Sequence, residues 1–165
     1  MRWVGSQGTW KILAAGLGTL VLALVAGDGF SQGGKRSDAE VKISATSTKL
    51  DSTGKQTIIL NLDINKGWHI YANPVNNEDL VSAQTTVTVR GKDQTVAAKV
   101  KYPPGKLHQD KLIGNFMVYE DKITIEASVQ RVAGDTSPLE VSIRFLACHD
   151  KGQCLLPATI KISIK

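Results

Sequence analysis

Leu139-Glu140-Val141-Ser142-Ile143-Arg144-Phe145-Leu146-Ala147 sets Val141, Ile143, Phe145 and Ala147 on one side of an extended chain and Ser142 and Arg144 on the other. That period of two marks a half-buried β-strand. Residues 159–164 repeat it, with Ile160, Ile162 and Ile164 on one side. A polar turn containing Lys151-Gly152 lies between the runs, so together they predict a β-hairpin. The same interval, Cys148-His149-Asp150-Lys151-Gly152-Gln153-Cys154, holds the chain's only two cysteines. The expectation is one cysteine on each strand at the hairpin mouth, where facing Cβ atoms lie about 4.5–5.5 Å apart. A disulfide needs Cβ atoms about 3.5–4.5 Å apart, so the non-hydrogen-bonded kind of pair, which brings side chains closer, suits it best. The sequence permits a bond between neighbouring strands.

Such a bond would brace little. Closing a ring of about seven residues stabilises a fold by only about 2.4 kcal/mol in the loop-entropy account, against roughly 4–5 kcal/mol for a 100-residue loop. Strained or exposed disulfides are also the ones more readily reduced, a property of redox-active pairs. Two other readings of the residues stay open. The bond is a clip on the last hairpin of an exported protein, or the cysteines bind zinc with His149 or His108, although C-x5-C matches none of the common structural zinc spacings.

Upstream of the cysteines the period of two recurs. Strands are expected over 41–48, 56–64, 68–72, 84–90, 95–102, 116–119 and 122–130, punctuated by Asp51-Ser52-Thr53-Gly54, Gly91-Lys92-Asp93, Pro103-Pro104-Gly105 and Gly134-Asp135. No helical period is sustained beyond the N-terminal segment. Eight or nine short strands with regular turn signals predict an all-β, two-sheet sandwich.

At 165 residues and 42% hydrophobic content, one domain can bury a sizeable core. The net charge of +5 is scattered, without a basic run or interleaved aromatics, which argues against nucleic acid as a partner. Arg2 and Lys11 precede an apolar run over 12–26 that is too short for a 30 Å hydrocarbon core. Residues 1–31 therefore predict a signal peptide, or an uncleaved anchor that would be the only link to a membrane. Residues 32–39, with Gly33-Gly34, predict a flexible linker, and 40–165 the folded domain. No hydrolase, metalloprotease, nucleotide or dinucleotide motif is present, and neither is C-x-x-C.

Three motifs carry a family resemblance: Cys148-x5-Cys154 followed by Pro157, Gly67-Trp68-His69-Ile70-Tyr71, and a run from Gly105 through His108, Asp110, Gly114, Tyr119 and Asp121 to Ile125. With them in this order, the chain from about residue 40 onward resembles the N-terminal, immunoglobulin-like domain of the thiol:disulfide interchange protein DsbD. The resemblance implies an immunoglobulin-like sandwich and a redox disulfide, with Cys148 and Cys154 as catalytic residues and Cys154 forming the mixed disulfide. It implies a cap loop over the sulfurs, matched by 108–114. There Asp110 matches a cap acid, while Lys111 and Leu112 stand where a second acid and a shielding aromatic are found. It implies that His69 and Tyr71 wall the site, sharing a face because strand side chains repeat every two residues. A histidine beside the sulfurs would stabilise a thiolate or shuttle its proton.

The family joins this domain to a membrane-embedded electron carrier and a thioredoxin-like domain, and the sequence ends at Lys165 with neither. The expectation is a periplasmic or otherwise extracytoplasmic thiol:disulfide oxidoreductase component. It would exchange electrons in trans with thioredoxin-like or DsbD-type proteins, without metal or organic cofactor. The alternative is a non-enzymatic exported β-sandwich, a binding or structural module.

Overall fold

In the computed structural model residues 34–91 and 96–165 are described, and the leader expected over 1–31 lies outside them. Among the described residues eleven strands follow one another: β1 (Val41–Ser47), β2 (Lys55–Ile64), β3 (Trp68–Tyr71), β4 (Thr86–Arg90), β5 (Ala98–Lys101), β6 (Lys106–Asp110), β7 (Gly114–Tyr119), β8 (Lys122–Gln130), β9 (Leu139–Phe145), β10 (Ala147–His149) and β11 (Ala158–Ile164). The helical content described is two short 3-10 turns, Ser37–Ala39 and Glu78–Ala83. All strand pairings within the sheets are antiparallel.

The strands form three sheets, in the orders β1-β2-β8-β5, β10-β3-β7-β6 and β11-β9-β4. The expected two-layer arrangement is thus realised with the second layer split, and one core still serves all three sheets. Ile58, Leu60, Leu62 and Ile64 of β2 and Ile125, Ala127 and Val129 of β8 turn inward at every second position. Val141, Ile143 and Phe145 of β9 meet them from the other side, with Ile70 of β3 and Tyr119 of β7.

Residues 139–147 and 159–164 do face each other as the alternation requires, with Ile160 opposite Ile143 and Ile162 opposite Val141. The placement of the cysteines corrects the hairpin reading, because neither lies on β9 or β11. At Leu146 the chain leaves β9, and after one residue it joins a different sheet as β10, paired with β3. Ala147 keeps its inward position, so the period of two passes through the switch unseen.

Two further differences bear on the site. Alternation predicts no strand where β6 stands: its only large apolar residue, Leu107, is exposed, and β6 is an edge strand with one neighbour, so no buried face marks it. The stretch expected as a flexible linker is docked from Lys35 onward. Arg36 bridges Leu156 in parallel, the Leu156 N–H donates to the Lys35 carbonyl at 3.0 Å, and Ser37 is 0% exposed. The Ser37 hydroxyl donates to the Leu156 carbonyl at 2.8 Å and accepts from the Ala147 N–H at 2.8 Å. A short polar side chain can thus be a buried connector when backbone groups on both sides need partners.

Candidate functional site

The turn after β10 brings the two cysteines together. Cys148 and Cys154 form a disulfide with a Cα–Cα separation of 4.0 Å. The His149 N–H donates to the Gln153 carbonyl at 2.7 Å, and the Leu155 N–H donates to the Ala147 carbonyl at 3.0 Å. These bonds flank the cysteines on both sides, which makes Cys148 and Cys154 a non-hydrogen-bonded antiparallel pair. Gly152 takes a positive φ at the turn, and its N–H donates to the His149 carbonyl at 2.8 Å.

The two sulfur-bearing residues have unlike surroundings. Cys148 is 3% exposed and belongs to an apolar cluster with Tyr71, Val75, Phe116 and Val118. Cys154 is exposed. Of the two, Cys154 is the one open to solvent, and Cys148 is the enclosed partner.

The wall of the site is the outer face of β3 and its neighbours. His69 is the cross-strand partner of Cys148, and Tyr71, two residues on, shares its face. The Tyr71 hydroxyl lies 3.6 Å from Cys148 Sγ. Burial pushes the Tyr71 phenol above its ordinary pKa, and the charge of Asp110 adds to this, so Tyr71 stays a donor. The ring of His69 lies 6.2 Å from that of Tyr71 and 5.1 Å from that of His108, which in turn lies 4.8 Å from Phe116. His69 Nδ1 is 3.2 Å from Asp150 Oδ1. Burial holds the His69 imidazole below its usual pKa, and the Asp150 hydrogen bond opposes that shift without cancelling it.

Phe116 is a residue of this face that sequence reasoning missed, and His108, expected in the cap loop, stands on β6 instead. They face each other across β6 and β7, and the signal was available in principle: Phe116 and Val118 alternate toward the side on which Tyr71 pairs with Val118. Recognising it required β6 to be seen as a strand.

The segment expected as a cap is the β6–β7 turn. The Asp110 carboxylate accepts from the Leu112 N–H at 2.7 Å and from the Ile113 N–H at 3.0 Å, and these bonds hold its pKa below the usual carboxylate value. From the other side the Asn77 side-chain amide donates to the carbonyls of Ile113 at 2.9 Å and Asn115 at 3.2 Å. This scaffold turns Leu112 outward, to 94% exposure. Leu112 thus does not cover the sulfurs, against the shielding role expected of it, because the turn's own hydrogen bonds fix its direction. Lys111 is exposed and has no ion pair among the described residues. Nor is there, among the described residues, a cluster of three His, Cys, Asp or Glu suited to a metal ion.

A family model for the N-terminal part of thiol:disulfide interchange protein DsbD matches residues 38–165. No curated protein matches the sequence. Among solved structures the chain is similar to the reduced N-terminal domain of DsbD from Neisseria meningitidis, at 12% identity and a TM-score of 0.52, over 77% of this chain and 86% of that one. It is also similar to the N-terminal periplasmic domain of ScsB from Proteus mirabilis, at 17% identity and a TM-score of 0.54, over 75% of this chain and 44% of that one. At these identities the two structures establish the shared fold.

Proposed function

The chain belongs to the family of the N-terminal domain of the thiol:disulfide interchange protein DsbD, and on that premise we propose that it relays electrons outside the cytoplasm through Cys148 and Cys154. One observation carries the reading: an exposed cysteine is bonded to a buried one that a phenol can serve. In the loading direction, the thiolate of a thioredoxin-like donor attacks Cys154 Sγ. The intramolecular S–S bond breaks, and its electron pair stays on Cys148 Sγ, which takes a proton. The donor's second thiol then resolves the mixed disulfide, leaving the donor oxidised and this domain a dithiol. In the unloading direction Cys154 attacks an oxidised acceptor, and Cys148 resolves that adduct. Each cycle moves two electrons and two protons, so no metal or organic cofactor is needed.

Tyr71 donates toward the Cys148 sulfur as charge develops on it. Asp110 shapes the neighbouring turn without touching the sulfurs. The extracytoplasmic location rests on the leader reading of residues 1–31 and on the needs of a disulfide, which persists in oxidising compartments.

Trapping tests the relay. The oxidised domain is mixed with a thioredoxin-like protein that lacks its resolving cysteine, and adducts are read on a non-reducing gel. The expected result is a dithiothreitol-sensitive adduct whose mass-mapped bond is at Cys154. No adduct with a single-cysteine thioredoxin that does form a mixed disulfide with insulin under the same conditions would leave the disulfide as a clip.

A further inference from the structure

The resolving step asks Cys148 to become a thiolate in the place least suited to one. Burial disfavours the charged form of a thiol, and the apolar neighbours Val75, Phe116 and Val118 offer no compensation. Directly across the strand pair stands His69, itself 4% exposed. Facing residues in such a pair project from the same side of the sheet with Cβ atoms about 4.5–5.5 Å apart. Tyr71, on the same face, already reaches Cys148 Sγ, so the imidazole and the sulfur share one enclosed space.

Resting on the exchange reading above, we propose that His69 is the general base for Cys148 in the resolving half-reaction and that Asp150 is its positioning residue. A carboxylate only accepts hydrogen bonds, so the contact between His69 Nδ1 and Asp150 Oδ1 puts the ring proton on Nδ1 and leaves the lone pair on Nε2. The titratable groups around the ring come from every neighbouring element: Tyr71 on its own strand, Asp150 beyond β10, His108 on β6 and Glu120 after β7. Burial and His108 keep the resting imidazole neutral, and the two carboxylates favour the imidazolium that forms in the step.

The step balances. The Cys148 thiol gives its proton to His69 Nε2, and the resulting thiolate attacks Cys154 Sγ of the mixed disulfide. The Cys148–Cys154 bond forms as the bond from Cys154 to the acceptor sulfur breaks. The acceptor leaves as a thiolate and takes the proton from the imidazolium. General bases of this kind contribute about 100- to 10,000-fold.

Ellman's reagent separates the two half-reactions. The reduced domain releases one thionitrobenzoate when Cys154 attacks the reagent, and a second when Cys148 resolves the adduct. Stopped-flow traces between pH 5.5 and 9.5 would compare the native domain with His69→Gln and Asp150→Asn. The native second phase should change little with pH above about 6.5, while in H69Q it rises nearly tenfold per pH unit. At pH 6.5 the two should differ tenfold or more, and they should converge near pH 9 as the thiol ionises unaided. D150N, at an exposed side chain, should slow the second phase at pH 6.5 at least threefold and leave the first phase intact. A second phase in H69Q that matches the native one, or is offset equally at all pH, overturns the proposal. Should H69Q fail to fold, D150N decides alone, with native kinetics counting against the proposal. A native domain that shows no second phase instead refutes the exchange reading itself.

Discussion

Cys148 and Cys154 are the same residue in two environments, and the proposed relay gives each a role to match. In the reduced protein an alkylating maleimide should modify Cys154 at least about tenfold faster than Cys148, because one is exposed and the other is enclosed by Tyr71, Phe116 and Val118. Mass mapping of a quenched time course checks the order, and equal rates would remove the distinction. His69 also makes stability depend on pH. Its folded pKa lies below the unfolded value, so the unfolded chain binds the extra proton. The contribution is therefore present above about pH 6.5 and is lost as pH falls through the folded pKa. The urea midpoint should drop between pH 7.5 and 5, and His69→Phe should flatten that drop. The sharing of one face by His69 and Tyr71 was legible from a period of two alone. The direction of Leu112 was not, because it depends on hydrogen bonds to the Asp110 carboxylate and from the Asn77 amide, and the second of these residues is remote in sequence.

At the scale of elements, the site is made where the chain changes sheets. The period of two in residues 139–147 predicted the inward residues of β9 correctly, yet alternation is blind to which sheet a strand joins, and so β10 was hidden inside it. The docking of residues 35–37 on the limb that follows Cys154 was equally hidden, since its bonds are made by backbone and one serine. Ser37→Ala deprives the buried Ala147 N–H and Leu156 carbonyl of this side-chain partner, and should cost about 1–3 kcal/mol in urea unfolding. An unchanged midpoint would mean that water takes the serine's place. Gly105 marks the start of β6 for a different reason: a Cβ there would stand 2.8 Å from Ala72 Cβ and 2.9 Å from Met117 Cβ. Gly105→Ala should therefore push β6, and His108 with it, away from β7. A loss of about 1–3 kcal/mol is expected, with perturbed His69 and His108 signals in NMR spectra, whereas native spectra would show that β7 yields instead.

For the whole molecule, the bracing comes from the core shared by the three sheets and not from the disulfide. Ile143, fully buried on β9, illustrates the scale: Ile143→Ala should cost about 2–5 kcal/mol. Opening the seven-residue ring should cost only about 2.4 kcal/mol. A protein built this way is expected to keep its fold when the bond is reduced, as the proposed relay requires. The all-β class was readable from alternation in β1, β2, β8, β9 and β11, whose inner faces all enter that core. The division of the second layer into two sheets was not, because it turns on a single residue, Leu146, between β9 and β10. The direct measurement is the reduction potential of the Cys148–Cys154 couple in graded thiol–disulfide buffers, followed by the mass change on alkylation. A potential above about −300 mV is expected of a pair that trades electrons, and one well below that, where structural disulfides lie, would contradict the relay.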